Sequence, residues 1–236
     1  MRSLLRDSSI CIFAFIIAGG FLAGCGPPYN KTIRGKDRDV FFPLLRATIP
    51  LGDQRDGWVT KSDLAMEMDF STGKGNASQS LSLGEQISLG GTVFTGPDVI
   101  HQSFTLDYSS LAIRKGTSRD TPLYADLLFG LLYTRMELKL ETSTLSARDY
   151  NTDVGFLFGV GVGYELLENA TLDLRLSFDG ALDRKMNTAE LLVTYWLTRN
   201  AGVMGGGRYW KYRRSRTSSD RELVWQGYAA GLALRF

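Results

Sequence analysis

From Asp153 to Leu166 the chain alternates with period two. Val154, Phe156, Phe158, Val160, Val162, Tyr164 and Leu166 share one face. Gly155, Leu157, Gly159, Gly161, Gly163 and Glu165 share the other. A strand sends successive side chains to opposite faces, so this is a strand with one apolar, aromatic face and one glycine-lined face. A half-buried soluble strand would show a polar second face. A glycine face instead fits a crowded interior, where backbones or large side chains approach closely. The next segment keeps the period but charges its inner face. Leu172, Leu174, Leu176 and Phe178 point one way; Thr171, Asp173, Arg175, Ser177 and Asp179 point the other. Only residues 167–170 separate the two, which predicts a tight hairpin.

Strand-like segments cover about 62–71, 81–94, 102–113, 123–140, 153–166, 170–180, 187–197, 202–213 and 223–236. Bacterial membrane barrels have even strand number, short periplasmic turns and longer outer loops. Placing the short turns 167–170 and 198–201 in the periplasm leaves 141–152, 181–186 and 214–222 outside. Parity then predicts an all-β fold, an eight-stranded antiparallel transmembrane barrel over 61–236, with 72–101 as an outer loop carrying 81–94 as a hairpin arm. The alternative is ten strands, with Val40–Leu51 as an extra first strand and 81–94 in the wall. Pro43 and Pro50, which cannot donate ladder bonds, argue against that extra strand. Residues 25–60 are then a periplasmic tether. In 123–140, Leu127, Phe129, Leu131 and Tyr133 share a face with Arg135, Glu137 and Lys139, so either the last three project above the membrane or a bulge intervenes. A soluble periplasmic β-sandwich, burying the face of Phe156 and Phe158 against a second sheet, is the rival to the whole scheme.

The amino terminus reads as a targeting segment. Arg2 and Arg6 precede the apolar run Ile10–Phe21, which is too short for a comfortable span and ends in Leu22-Ala23-Gly24-Cys25. This resembles the lipobox of bacterial lipoprotein signals. The resemblance implies removal of residues 1–24 and acylation of Cys25, with a diacylglyceryl group and further fatty acyl (palmitate-type) modification. It also implies handling by the lipoprotein-sorting machinery. Gly26, rather than Asp, follows the cysteine, which permits outer-membrane delivery. Cys11 lies in the removed segment, so the mature chain holds no disulfide. At the other end, Gly231, Leu234 and Phe236 resemble the recognition signal that barrel-assembly machinery reads; Ala229 departs from it where a polar residue is usual. The glycine strand, tight turn and apolar strand from Gly155 to Phe178 resemble the OmpA/OmpX-like small-barrel superfamily. Together these resemblances imply a bacterial outer-membrane location with the anchored amino terminus on the periplasmic side.

The phases place Glu67, Asp69, Asp107, Glu165, Asp173, Asp179 and Glu190 inside the barrel, with Arg175 and Arg235 as cations. Such a network is either a static plug or a gate for small ions, and an eight-stranded interior is normally filled. The basic run Lys211–Arg216 reads as a solvated loop. A net charge of +2 makes no case for nucleic acid. The one histidine, His101, followed by Ser103, is the only candidate base for lipid A chemistry of the kind some small barrels perform. No other motif supports catalysis, and the sequence reading is a non-enzyme. It calls for no cofactor and no metal, since carboxylates alone suit weak Ca²⁺ sites at best. The predicted role is structural or surface-interacting through the outer loops. The partners are outer-membrane lipids and an extracellular ligand at 72–101.

Overall fold

The computed structural model describes residues 29–51, 64–116, 122–181, 184–214 and 220–236. It is all-β. The elements are β1 (Tyr29–Asn30), β2 (Ile33–Pro50), β3 (Leu64–Leu81), β4 (Glu85–Leu89), β5 (Thr92–Thr95) and β6 (Asp98–Gly116). They continue as β7 (Leu123–Glu141), β8 (Ser146–Leu167), β9 (Ala170–Ala181), β10 (Arg184–Trp196), β11 (Ala201–Arg214) and β12 (Arg221–Arg235). Nine of them close a barrel in the order β10-β11-β12-β2-β3-β6-β7-β8-β9, so the count is nine and not eight.

The ninth strand is β2, drawn from the segment expected as a tether. It pairs parallel with β12 from Arg221↔Ile33 to Arg235↔Thr48, and antiparallel with β3 from Leu44↔Ser71 to Pro50↔Ala65. An odd number of up-and-down strands can close only through one parallel pair. Pro43 and Pro50 do not bar β2 from the wall, because a proline blocks one side of a strand only. Ser71 Oγ donates to the Pro43 carbonyl at 2.8 Å, which turns Pro43's backbone toward β3. The β3 ladder stops there, while β12 keeps its pairing. Pro50 ends the strand. Gly227 and Gly231 permit the close parallel approach: a Cβ on either would strike the Val40 or Leu44 carbonyl of β2. A bulge offsets Trp225–Gly227 against Asp37–Val40 and switches the inward set on β2 from odd to even residues.

The lower end holds residues 168–169, 197–200 and Phe236; the upper end holds 142–145 and the β3–β6 connection. That connection is a lid. β4 and β5 form a hairpin whose tight turn uses Gly90 and Gly91, with φ of 56° and 84°. β1 adds to β4 in parallel. Ile87, Leu89 and Phe94 are buried and join Leu81, Ile100, Leu138 and Leu140 in one core cluster. The segment 81–94, expected as a single hairpin arm, is instead broken at Gly90-Gly91, so that β4 and β5 form a complete hairpin of their own. The strands on either side of it, 72–81 and 98–101, belong to the barrel wall rather than to a loop. β7 pairs with both neighbours without a register shift, so no bulge accounts for Arg135, Glu137 and Lys139. They simply continue its outer face beyond the apolar stretch.

Candidate functional site: a packed lumen inside an apolar belt

The outer surface changes character along each strand. Leu123, Leu127, Phe129, Leu131 and Tyr133 on β7 are exposed, as are Val154 to Leu166 at alternate positions of β8. Leu174, Leu176, Phe178, Leu191, Val193, Tyr195, Leu232 and Phe236 extend the belt. Phe41, Leu45 and Phe70 close it around β2 and β3. At about 3.3 Å per residue and a tilt near 40°, Leu123 to Tyr133 spans a band roughly 25 Å tall. The belt begins at the lower turns, where Leu166, Leu167 and Leu197 are exposed. Above Phe70, Tyr133 and Val154 the strands run on with mainly polar outer faces, interrupted by Tyr150 and Val99.

The inside is layered. The lower ion layer joins three arginines to three carboxylates. Arg46 Nη2 donates to Asp69 Oδ2 at 2.8 Å and to Glu190 Oε1 at 2.6 Å. Arg175 forks onto Glu67. Arg208 Nη2 lies 3.2 Å from Asp69 Oδ2 and 3.1 Å from Glu190 Oε2. All six residues are buried. Above them sits an aromatic layer. Trp210 meets Phe42 edge-on at 4.7 Å between centroids, Tyr108 stacked at 5.5 Å and Trp225 at 6.4 Å. Phe104 meets Trp225 at 5.1 Å. These rings fit because facing wall positions are glycine. A Cβ on Gly73 would come within 2.8 Å of Phe42, and one on Gly35 within 2.7 Å of Phe104. Arg208 couples the layers, with its guanidinium carbon 5.1 Å from the Trp210 centroid and 5.3 Å from that of Tyr108.

An upper ion layer repeats the three-to-three balance. Arg184 pairs with Asp179 and lies 3.7 Å from Asp153. Arg214 lies 3.5 Å from Asp153, and Arg221 pairs with Asp149. Burying a charge is costly unless it is paired, and the planar guanidinium can bond two carboxylates at once. Both layers use arginine for all their cations. Below the lower layer, Tyr124 covers Gly163 and donates to Asp173 Oδ1 at 2.6 Å. A mouth cavity of about 60 Å³ there is lined by residues including Arg46, Glu67, Asp173, Arg175, Trp196 and Arg235. A void of about 10 Å³ beside Tyr108 and Arg208 has room for about one water.

Glu67, Asp69, Arg175, Asp179, Glu190 and Arg235 are buried inside the barrel. Asp173 and Glu165 line the lower interior at intermediate exposure. Asp107 does not join them. It is exposed on the outer face of β6, where it accepts from Thr72 Oγ1 at 2.8 Å. Arg214 corrects the solvated-loop reading of its basic run, since its side chain is buried in the upper layer. Sequence reasoning missed Arg46, Arg184, Arg208 and Arg221. Period two on 202–213, where Met204, Arg208, Trp210 and Tyr212 alternate with glycine, tyrosine and lysine, was the signal for Arg208.

His101 stands exposed on β6 above the belt. Ser103, its expected neighbour, lies one step down the same face. The hydroxyl it meets is that of Ser78 on β3, with Oγ 3.1 Å from Nδ1. Glu141 occupies the facing position on β7 and pairs with Lys139 Nζ at 2.6 Å. The Lys139 hydrogen bond holds the Glu141 carboxyl below the usual carboxylate range. A hydroxyl, an imidazole and a carboxylate therefore share one cross-strand row. Ser78 is eight residues past Phe70, which puts the row roughly 20 Å above the belt. Acyl chains in a layer around the belt would not reach it.

No protein-family model matches the chain, and neither a curated protein nor a solved structure matches it.

Proposed function

We propose that the chain is a lipid-anchored bacterial outer-membrane protein whose barrel is closed to solutes and acts as a structural or surface-interaction element. The observation that carries this reading is the pairing of a continuous outward apolar belt with a lumen filled by two balanced arginine–carboxylate layers around an aromatic layer. A closed barrel pairs its own backbone groups, which is what a sheet needs in lipid. The belt height matches the apolar band of membrane barrels, about 25 Å. Phe236 at the lower rim, Leu234 and Gly231 would serve assembly, and residues 1–24 with Cys25 would supply export and the anchor; the last two lie outside the described residues. A soluble sandwich would have buried Phe156 and Phe158, which are 65% and 50% exposed.

Partners would be outer-membrane lipids, the assembly and sorting machineries, and an extracellular ligand meeting the lid. A gated pore is the weaker reading, because opening it would mean dismantling paired ion layers and stacked rings together. The test is electrophoresis of outer-membrane fractions, unheated against boiled, for the wild type and Cys25→Ala. A heat-dependent shift in both is expected. Absence of any shift, with release of the variant into the soluble periplasm, would replace this reading with a soluble lipoprotein.

A further inference from the structure

In an even-stranded up-and-down barrel both chain ends leave at the same end. Here they do not. β12 descends from Arg221 at the upper end to Arg235 at the lower, and β2 runs beside it in the same direction from Ile33 to Pro50. The chain therefore enters the wall from above. Residues 29–30 are paired into the lid through β4, and Lys31 Nζ binds Glu85 Oε2 at 2.6 Å beside them.

We propose that the amino terminus of the mature protein, with its acylated Cys25, is displayed on the outer surface of the cell rather than in the periplasm. This rests on the outer-membrane reading above, which supplies the membrane. The orientation follows from the asymmetry of the belt: it starts at the lower turns, while the upper strands and lid project far beyond it. Short periplasmic turns and long outer extensions are the pattern of such barrels. Covalent reach then decides the anchor. Four peptide steps separate Cys25 from Tyr29, at most about 14 Å fully extended. β2 itself descends roughly 40 Å from Ile33 to Pro50, so Cys25 cannot return to the lower face. The outward side chains that β2 carries above the belt include Arg34, Lys36 and Arg38, all exposed. This end of the strand faces the phosphorylated headgroups of an outer leaflet with cations, the sign that favours contact.

The mature chain has no cysteine other than Cys25; acylation caps its sulfur as a thioether, and the wild type treated in parallel gives the background against which each reporter is read. Lys36→Cys reports the upper end and Arg199→Cys the lower; both parent side chains are exposed. Cells are treated intact or lysed with a membrane-impermeant polyethylene glycol maleimide, and band shifts are compared. Lys36→Cys is expected to react equally in intact and lysed cells, and Arg199→Cys only after lysis. The opposite pattern, equal reaction of both in intact cells, or protection of both would overturn the proposal. Lys74→Cys and Glu168→Cys form a second pair should a first variant misassemble. Heat-shifted migration of each variant in the outer-membrane fraction separates the two claims. If it is lost for all variants and the wild type, the membrane reading fails; if it persists with reversed labelling, only the surface placement fails.

Discussion

Glu190→Gln keeps the shape of the side chain and removes one charge from the lower ion layer. Glu190 holds Arg46 at 2.6 Å and Arg208 at 3.1 Å, and Arg175 stands 3.6 Å away. The variant leaves three buried guanidinium groups sharing Glu67 and Asp69. Breaking a buried pair by removing one partner typically costs about 3–5 kcal/mol. With a urea dependence near 2 kcal/mol per molar, the unfolding midpoint should fall by roughly 2 M. The assay is the fraction of heat-shifted band against urea for protein folded in lipid vesicles. Glu190→Leu combined with Arg208→Met restores two cations to two carboxylates and should recover much of the loss. A midpoint shift below about 0.3 M for Glu190→Gln would refute the argument, by the same conversion. So would a double variant that falls as far as the two single losses added together.

Trp210→Ala should cost about 3–5 kcal/mol by emptying the centre of the aromatic layer, measured by the same urea titration, with loss of near-ultraviolet circular dichroism. Gly231→Val should block β2–β12 pairing and abolish the heat-shifted band, because the new side chain meets the Leu44 carbonyl. If the belt meets lipid as proposed, Phe158→Arg places a cation in it and should cost about 2–4 kcal/mol of folding into vesicles. Glu137→Arg, on the same outer surface above the belt, should leave vesicle folding unchanged. Removing residues 85–95 uncovers Ile100, Leu138 and Leu140, so a folded remnant should bind a hydrophobic dye that the intact protein does not.

The wall of the barrel was legible where one side chain type dominates a face. Val154 to Leu166 and Thr171 to Asp179 declared both their strands and their inner sides, and the glycine face of β8 does receive large side chains, such as Tyr124 over Gly163. β2 was hidden because Pro43 and Pro50 speak against a strand on both edges, whereas this strand needs pairing on Pro43's β12 side only. Asp107 was misplaced for a different reason. Within the belt, apolar residues face out and charges face in. Above it the outer face turns polar, and on β6 apolar residues fill the inside: Phe104, Leu106 and Tyr108 are buried while Asp107 meets solvent. A single inside-out rule along a strand that crosses the boundary must fail on one part of it. The arginines were harder still. Arg46 lies in the supposed tether, while Arg184, Arg214 and Arg221 sit at strand ends next to loops, where charge ordinarily means solvent. Their burial depends on the upper strands continuing past the belt, which the belt pattern itself does not announce.

The barrel has nine strands, and β2 separates β12 from β3 in its wall. Leu45 is the register partner of Leu232 on one side and of Phe70 on the other, and all three are exposed on the belt. Neighbouring strands lie about 4.8 Å apart, so Leu232 and Phe70, two strands apart, stand near 10 Å, beyond the roughly 7 Å that a disulfide bridges. The decisive measurement is oxidative crosslinking of paired cysteines in the folded protein. The nine-stranded account predicts a disulfide in Leu45→Cys/Leu232→Cys and none in Phe70→Cys/Leu232→Cys. A disulfide in the second pair and none in the first would mean that β3 closes directly on β12, with the amino-terminal segment outside an eight-stranded wall.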